Sequence, residues 1–501
     1  MYDLIKESIN DYDAALKLAK SQKNIVEVVD AISELSKEDA MKLGTNFKRF
    51  PLGCDLTEVV VGTCASDLEK IDLLGNCILA NNIGAPIHIC AYAFSDIGEK
   101  YGEKGIDIME EVYNLTDVPL DLDHFGKYGA MKFPKEIVKC GGDCYNKGDS
   151  SSGCPKDRIH KRLIEQEIEM EEDKEEWIKL SSSVAVNLTS EQGGVGHSAP
   201  FEEAEYVANL AKKHGKALET IMFVGDGYDD LITGFEKAID INSDIFVIEG
   251  GPFNSSKNRV EAFSKAIAMS RVLCPGKVVA TNGAYENECR AGLRAGLNII
   301  ISGFPNNHHG YMCGYSPGSA KRGKFGLPRV LKIIKEEIKN SPVNAPIGRG
   351  ELLALTKAVK LSGPENIYPK KIGSFTVGDA HWGAITNSRM YKNMPIEKTI
   401  SDIKEEINGD SVTLLGGRFL SWVLAKEIEG YVDEIVISDI DPFVEKATVN
   451  NLQEELGINV ISGNSDDINS ASLSKTSIIT STVPGIAQNI TKKVPDALSF
   501  L

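Results

Sequence analysis

No stretch of the sequence approaches the roughly 20 consecutive apolar residues of a membrane-spanning helix, so no span is expected. Met1 to Lys20 mixes acids and bases without an apolar centre and does not read as a signal peptide. Basic runs with interleaved aromatics are absent. With 72 Asp and Glu against 55 Lys and Arg, the net charge of −17 repels polyanions, and nucleic acid is not an expected partner. Cysteine is sparse, ten in 501 residues, without the framework of a small disulfide-stapled domain. Such thiols fit a reducing cytoplasm, where they stay free or hold metal. The Cys-x3-Cys-x2-Cys spacing of radical S-adenosylmethionine enzymes is missing too. What remains is ordinary for a soluble protein, 42% apolar and 25% charged, in a chain too long for a single core.

The chain carries eight short apolar runs: Thr57 to Val61, Pro86 to Tyr92, Val118 to Leu122, Ser183 to Leu188, Glu219 to Val224, Asp244 to Ile248, Lys277 to Ala280 and Asn298 to Ile301. Most are separated by one stretch of helical periodicity. Short β-branched runs of this kind read as strands buried on both faces, and their alternation with helices demands a parallel sheet. Eight such units close a (β/α)8 barrel, the fold expected for residues 51–340; an open doubly wound sheet is the alternative. Residues 1–50 read as helices forming a lid or first layer, with a capped start near Ser36.

In a parallel barrel the inward strand positions are packed and apolar, so chemistry is expected where the strands end. Asp123 and His124 follow the third run, Glu191 the fourth, Asp226 the fifth and Glu249 the sixth. Two carboxylates, Asp121 and Asp123, with an imidazole at one strand end suit acid/base or metal work. Strand alternation puts Asp121 and Asp123 on one face and His124 on the other, so they converge only if the strand stops near Leu122. Asp123, His124, Glu191, Asp226 and Glu249 are the expected catalytic residues. Four acids on four consecutive strands repel one another unless a cation or hydrogen-bond donors sit among them. Gly193 and Gly194 let backbone amides approach an anionic or planar ligand.

The gap between the third and fourth runs is nearly twice the next longest, and the insertion at about 125–180 holds Cys140, Cys144, Cys154 and His160 among glycines and serines. Three thiols and an imidazole in a pliable segment suit iron or an iron–sulfur cluster; a loop with incidental thiols is the alternative. Past a Pro- and Gly-containing linker near 341–348, a second α/β pattern follows in residues 341–501. An apolar run ends in Gly416 and Gly417, and Asp439 closes the next run about 23 residues on. This is a Rossmann-like layout, in which a glycine turn offers helix amides to phosphate and the acid reaches ribose hydroxyls. Only two glycines are present, so a structural turn is the competing reading.

Four stretches, VPLDLDHFGKYGAMKFP from Val118 to Pro134, Cys140 to Arg162, FPNNHHGYMCGYSPG from Phe304 to Gly318 and Val412 to Pro442, carry a resemblance that spans nearly the whole chain. It resembles the HmdC/HcgG family of methanogenic archaea, maturation proteins for the iron-guanylylpyridinol cofactor of Fe-hydrogenase that are also labelled fibrillarin-like. The resemblance implies work on an iron-bearing guanylylpyridinol precursor, in formation of its carbonyl or acyl ligands, beside other hydrogenase maturation proteins. A homo-oligomer in the cytoplasm is expected. Two further readings are a non-catalytic carrier of the intermediate and an S-adenosylmethionine-dependent methyltransferase.

Overall fold

The structure is a computed structural model. It describes residues 1–48, 58–62, 69–123 (84 and 117 aside), 173–188, 201–250 (225 and 226 aside), 258–303 (276 and 283–285 aside), 327–340, 370–372, 375–377, 396–439 (417 and 418 aside), 442–463, 476–479 and 494–499 (495 aside).

Eight parallel strands form a closed barrel: β1 (Glu58–Gly62), β2 (Ile87–Cys90), β3 (Leu120–Asp123), β4 (Ser183–Asn187), β5 (Ala217–Val224), β6 (Ile245–Gly250), β7 (Val278–Asn282) and β8 (Ile299–Gly303). β1 pairs with both β2 and β8, so no edge remains and the open-sheet alternative falls. Runs such as Ile245 to Ile248 and Ile299 to Ile301 are buried on both faces, as a barrel wall under helices requires.

Four helices precede the barrel, α1 (Tyr2–Glu7), α2 (Tyr12–Lys20), α3 (Ile25–Ser33) and α4 (Lys37–Lys48), and side-chain caps start three of them. Asp11 accepts from the Ala14 N–H at 2.7 Å, Asn24 from Glu27 at 3.1 Å and Ser36 from Asp39 at 3.1 Å. Between the strands come α5 (Lys70–Ile83), α6 (Ala91–Tyr101), α7 (Gly105–Leu115), α8 (Phe201–Lys213), α9 (Asp229–Asp240), α10 (Arg259–Leu273) and α11 (Glu286–Arg294), with α12 (Leu327–Asn340) after β8. Two helices, α6 and α7, join β2 to β3, where the sequence pattern suggested one.

Of the lid and the layer expected for residues 1–50, the described contacts show a layer. α3 and α4 pack against α10, and α4 also meets α11, so they form a second layer outside the barrel wall. This explains why α10 is buried continuously from Phe263 to Val272: it lies between the barrel and that layer, and its sequence is apolar or small on most sides. Arg271, fully buried, anchors it by donating from Nε to Gly296 O at 2.7 Å and from Nη1 to Lys277 O at 2.8 Å, while Nη2 meets Asn298 Oδ1.

Where α4 crosses the turn before β8, backbone meets backbone. A Cβ at Gly44 would stand 2.0 Å from Ala295 O, and one at Gly296, whose φ is +101°, 2.5 Å from Gly44 O. On the far side of α11, Arg290 pairs with Glu286, Glu336 and Glu337, Arg294 with Glu337, and Arg329 with Glu286, joining the last two helices of the barrel.

Residues 370–372 and 375–377 form a two-stranded antiparallel ribbon, β9 (Lys370–Ile372) and β10 (Phe375–Val377). A second sheet of five parallel strands follows, β11 (Ser411–Leu415), β12 (Glu434–Ser438), β13 (Asn459–Ser462), β14 (Thr476–Ile479) and β15 (Leu498–Ser499), in the order β13-β12-β11-β14-β15. Its helices are α13 (Ile396–Glu406), α14 (Phe419–Ile428) and α15 (Pro442–Glu455).

Two stability predictions follow from this packing. Gly44→Ala should cost about 1–3 kcal/mol, because backbone must move, whereas Gly75→Ala, mid-helix in α5 with open space around it, should gain about 0.5–1 kcal/mol; urea unfolding checks both. For Glu337, burial pushes the carboxyl up, but the Arg294 and Arg290 guanidiniums more than offset this and leave it below the usual range. Its contribution is therefore present above the unfolded value near 4.5 and lost as pH falls through the lower folded value. Glu337→Gln should flatten the stability-versus-pH curve below about pH 4.5, read from melting temperatures.

Candidate functional site

Three ionisable side chains meet inside the barrel. His88 of β2, Asp121 of β3 and Glu219 of β5 are each buried to 1% exposure or less, and their potential ligand atoms lie within 4.8 Å of one another. β3 and β5 are not neighbours in the sheet, so these side chains can approach only across the interior. Register places them. His88 pairs with Asp121, Asp121 with Ser183 of β4, and Ala185 with Glu219.

In a tilted barrel alternate strands supply one layer, and each layer sits one residue further along the next strand. Asp121, Glu219 and Ala280 of β7 thus share a layer; His88, Ala185, Val247 of β6 and Ile301 of β8 make the layer above. Three of that upper four are apolar and buried, which leaves the imidazole as its single polar member.

The contacts are short and directional. Asp121 Oδ2 lies 2.5 Å from His88 Nδ1, and Ser183 Oγ donates to Asp121 Oδ1 at 2.6 Å. Both oxygens of Asp121 are therefore oriented, one by a hydroxyl and one by the ring. A ring nitrogen and a carboxylate oxygen at such a distance share a proton. With Nδ1 facing Asp121, the opposite ring nitrogen, Nε2, is the one whose chemistry the pair tunes. The arrangement suits general acid/base work at Nε2, or a metal ion held by one nitrogen and two oxygens.

The expected site residues fall differently. Glu249 is at the C-terminal end of β6, in register with Phe223 and buried to 1%, above the His88 layer on the way to the mouth. Asp123 ends β3 in register with Cys90, two residues past Asp121 and therefore nearer the mouth; its side chain is outside the described set. His124, Glu191, Gly193, Gly194, Asp226, Cys140, Cys144, Cys154, His160 and Gly417 also lie outside the described residues. The expectation that inward positions hold no carboxylate away from a strand end is overturned, since Asp121 lies within β3 and Glu219 third in β5. β3 continues to Asp123, so the strand does not stop at Leu122. His88 and Glu219 were missed; the signal was a charged residue on the inner register of an otherwise apolar strand, IHIC and ALETIMFV.

Three described cysteines, Cys77, Cys274 and Cys289, are free thiols. Burial pushes all three up, Cys274 to about 12, which keeps them protonated and inert. In the second sheet, Gly416 follows β11 with φ +126°, and its N–H donates to Ser438 O at 2.8 Å. Asp439 follows β12, buried, and its N–H donates to Glu445 Oε2 at 2.9 Å; Ser462 Oγ donates to the other oxygen of Glu445. Glu445 thereby ties the ends of β12 and β13 together, a role the sequence did not suggest.

If His88 and Asp121 act as a pair, losing one partner of this buried couple should cost about 3–5 kcal/mol. His88→Leu alone should reach that figure in urea unfolding, and adding Asp121→Leu should cost less than the two single changes summed. Strict additivity would show that the 2.5 Å contact carries no coupling.

A family described as "FeGP cofactor biosynthesis protein, fibrillarin family" matches residues 1–500. An uncharacterized protein of Methanothermobacter thermautotrophicus is 55% identical over 505 residues, covering 100% of both chains. An uncharacterized protein of Methanocaldococcus jannaschii is 52% identical over 511 residues, covering 99% of each. Among solved structures, a type I 3-dehydroquinate dehydratase from Clostridium difficile is 12% identical with a TM-score of 0.37, over 58% of this chain and 95% of that one. By the match over residues 1–500 and by both relatives, the chain belongs to the FeGP cofactor biosynthesis, fibrillarin family.

Proposed function

We propose that the protein acts on an iron-bearing guanylylpyridinol precursor within FeGP cofactor biosynthesis, in the formation of the carbonyl or acyl ligands. The observation that carries this reading is the buried His88–Asp121–Glu219 group inside a barrel whose chain belongs to that family. A pyridinol ring suits a concave barrel mouth, and the expected rim residues Asp123, His124, Glu191, Asp226 and Glu249 are proposed to line it. The iron arrives as part of the substrate; Cys140, Cys144, Cys154 and His160 remain proposed as soft ligands that receive iron or an iron–sulfur cluster. His88 is proposed to hold or deliver a proton at Nε2, with Asp121 fixing the tautomer and Ser183 fixing Asp121.

The five-stranded sheet is proposed as a Rossmann-like unit for the guanylyl moiety. Two features support this: the strand order β13-β12-β11-β14-β15, and the placement of Gly416 after the first strand and Asp439 after the second. The Gly416 N–H is given to Ser438 O, so Gly416 is proposed to shape the turn, with the amide at Gly417 meeting phosphate and Asp439 the ribose. The same features favour one second reading, S-adenosylmethionine in that unit. Calorimetry with each ligand separates the two, because heat with S-adenosylmethionine and none with guanylylpyridinol would reverse the assignment.

Anaerobic maturation of apo-hydrogenase tests the main reading. His88→Gln and Asp121→Asn should each lower the rate of cofactor formation by about 10²-fold or more. Glu176→Ala, on an exposed helical surface where it pairs with Lys179, should leave it unchanged. If maturation proceeds at the wild-type rate in both barrel variants, the barrel is not the reacting site. If wild type takes up the precursor and releases it unaltered, the protein is a carrier instead.

A further inference from the structure

We infer that His88, Asp121 and Glu219 form a binding site for a divalent first-row transition-metal ion resident in the barrel, independent of the iron carried by the substrate. The site consists of an imidazole and two carboxylates on three different strands, all within the barrel wall. Ligand atoms bound to one ion at about 2.0–2.2 Å stand up to about 4.4 Å apart across it. The three candidate atoms lie within 4.8 Å of one another, a few tenths of an ångström from that span.

Charge points the same way. Two carboxylates and a neutral imidazole sum to −2, and a protonated imidazole lowers this only to −1. At zero exposure, where the interaction of like charges is strong, a divalent cation brings the group to neutrality with the ring unprotonated, the form in which imidazole binds metal. The His88 Nδ1 to Asp121 Oδ2 contact at 2.5 Å is a hydrogen bond, and a cation would take the place of its proton as the two atoms move apart. Ser183 supplies the outer support that metal-bound carboxylates have, a hydroxyl at 2.6 Å on the oxygen facing away from the ring.

The donor set selects the ion class. One nitrogen, two oxygens and no sulfur suit Fe²⁺, Mn²⁺ or Zn²⁺ rather than a soft ion, and three protein ligands leave coordination positions for water or a substrate oxygen. Asp123 and Glu249 come later on their strands, between this group and the strands' C-terminal ends. The ion would then meet a ligand entering by the mouth from beneath. Its existence does not depend on the precursor reading, although its use does.

The test uses the full-length chain, stripped with chelator and titrated with Mn²⁺. Wild type should remove the free-ion paramagnetic resonance signal with one-to-one stoichiometry and melt at a higher temperature when loaded. Glu219→Gln and His88→Ala should bind Mn²⁺ at least about 100-fold more weakly, and Ser183→Ala about 10-fold more weakly through the outer support alone. Co²⁺ loaded into the full-length chain carrying Cys140→Ser, Cys144→Ser and Cys154→Ser, which removes the thiols proposed as ligands in the insert, supplies a spectroscopic check: weak visible bands without thiolate charge transfer support the nitrogen and oxygen ligands. A free Mn²⁺ signal in wild type, equal affinity in wild type and both ligand variants, or a thiolate charge-transfer band overturns the site. Metal bound as stated in a protein inactive in maturation supports the site and counts against the precursor reading alone.

Discussion

The constraint on which the barrel interior depends is electrostatic: two carboxylates sit at zero exposure in the middle of a closed sheet, where an uncompensated charge costs several kcal/mol. Most barrels fill that space with branched apolar side chains. Here Asp121 and Glu219 occupy one layer, His88 the next, and Ser183 props the carboxylate from the side. Replacing all four with apolar residues of similar volume is the change that packing alone would favour. A sequence that keeps them gives up stability for a group able to hold a proton or a cation away from bulk water.

Holding such a group needs a wall that does not yield, because distances of 2.5–2.6 Å survive only if the strands keep their register. Closure does part of this, since β1 pairs with both neighbours and register cannot slip without disturbing every strand. The outside does the rest on one side. α10 is clamped between the barrel and the N-terminal helices, with Arg271 bonded to the turns that feed β7 and β8. The Arg290 and Glu337 network ties α11 to α12 on the following segment. An isolated surface pair would add little, but Glu337 is 5% exposed and shared by two arginines, so this network is of the kind that counts.

The architecture was legible because parallel strands buried on both faces leave an unmistakable trace: runs such as Ile245 to Ile248 have no polar alternation and recur between helical stretches. Helix starts were legible where one side chain makes the cap, as at Ser36. The interior site was not, and the reason is a premise rather than a missing pattern. Treating inward strand positions as apolar by rule discounts His88 in IHIC and Glu219 in ALETIMFV before their partners are considered, and sends the search to the loops. The third apolar run ends at Leu122, one residue short of the strand's end, which makes Asp121 read as a rim residue instead of a wall residue. No property of a single strand reveals that β2, β3 and β5 bring these groups together. That follows from the barrel's stagger, which only the closed sheet defines.

The stagger also joins the interior group to the residues that sequence reasoning did single out. Asp123 stands two residues past Asp121 on β3, and Glu249 pairs with Phe223, four residues past Glu219 on β5, so both lie nearer the C-terminal ends of the strands than the buried group. At 1% exposure or less, His88, Asp121 and Glu219 lack the solvent screening that surface charges have, and their mutual interactions stay strong. Cys77 and Cys289 are buried and Cys274 is half-buried, and burial holds all three protonated. The described ionisable side chains that meet inside the barrel offer nitrogen and oxygen ligands.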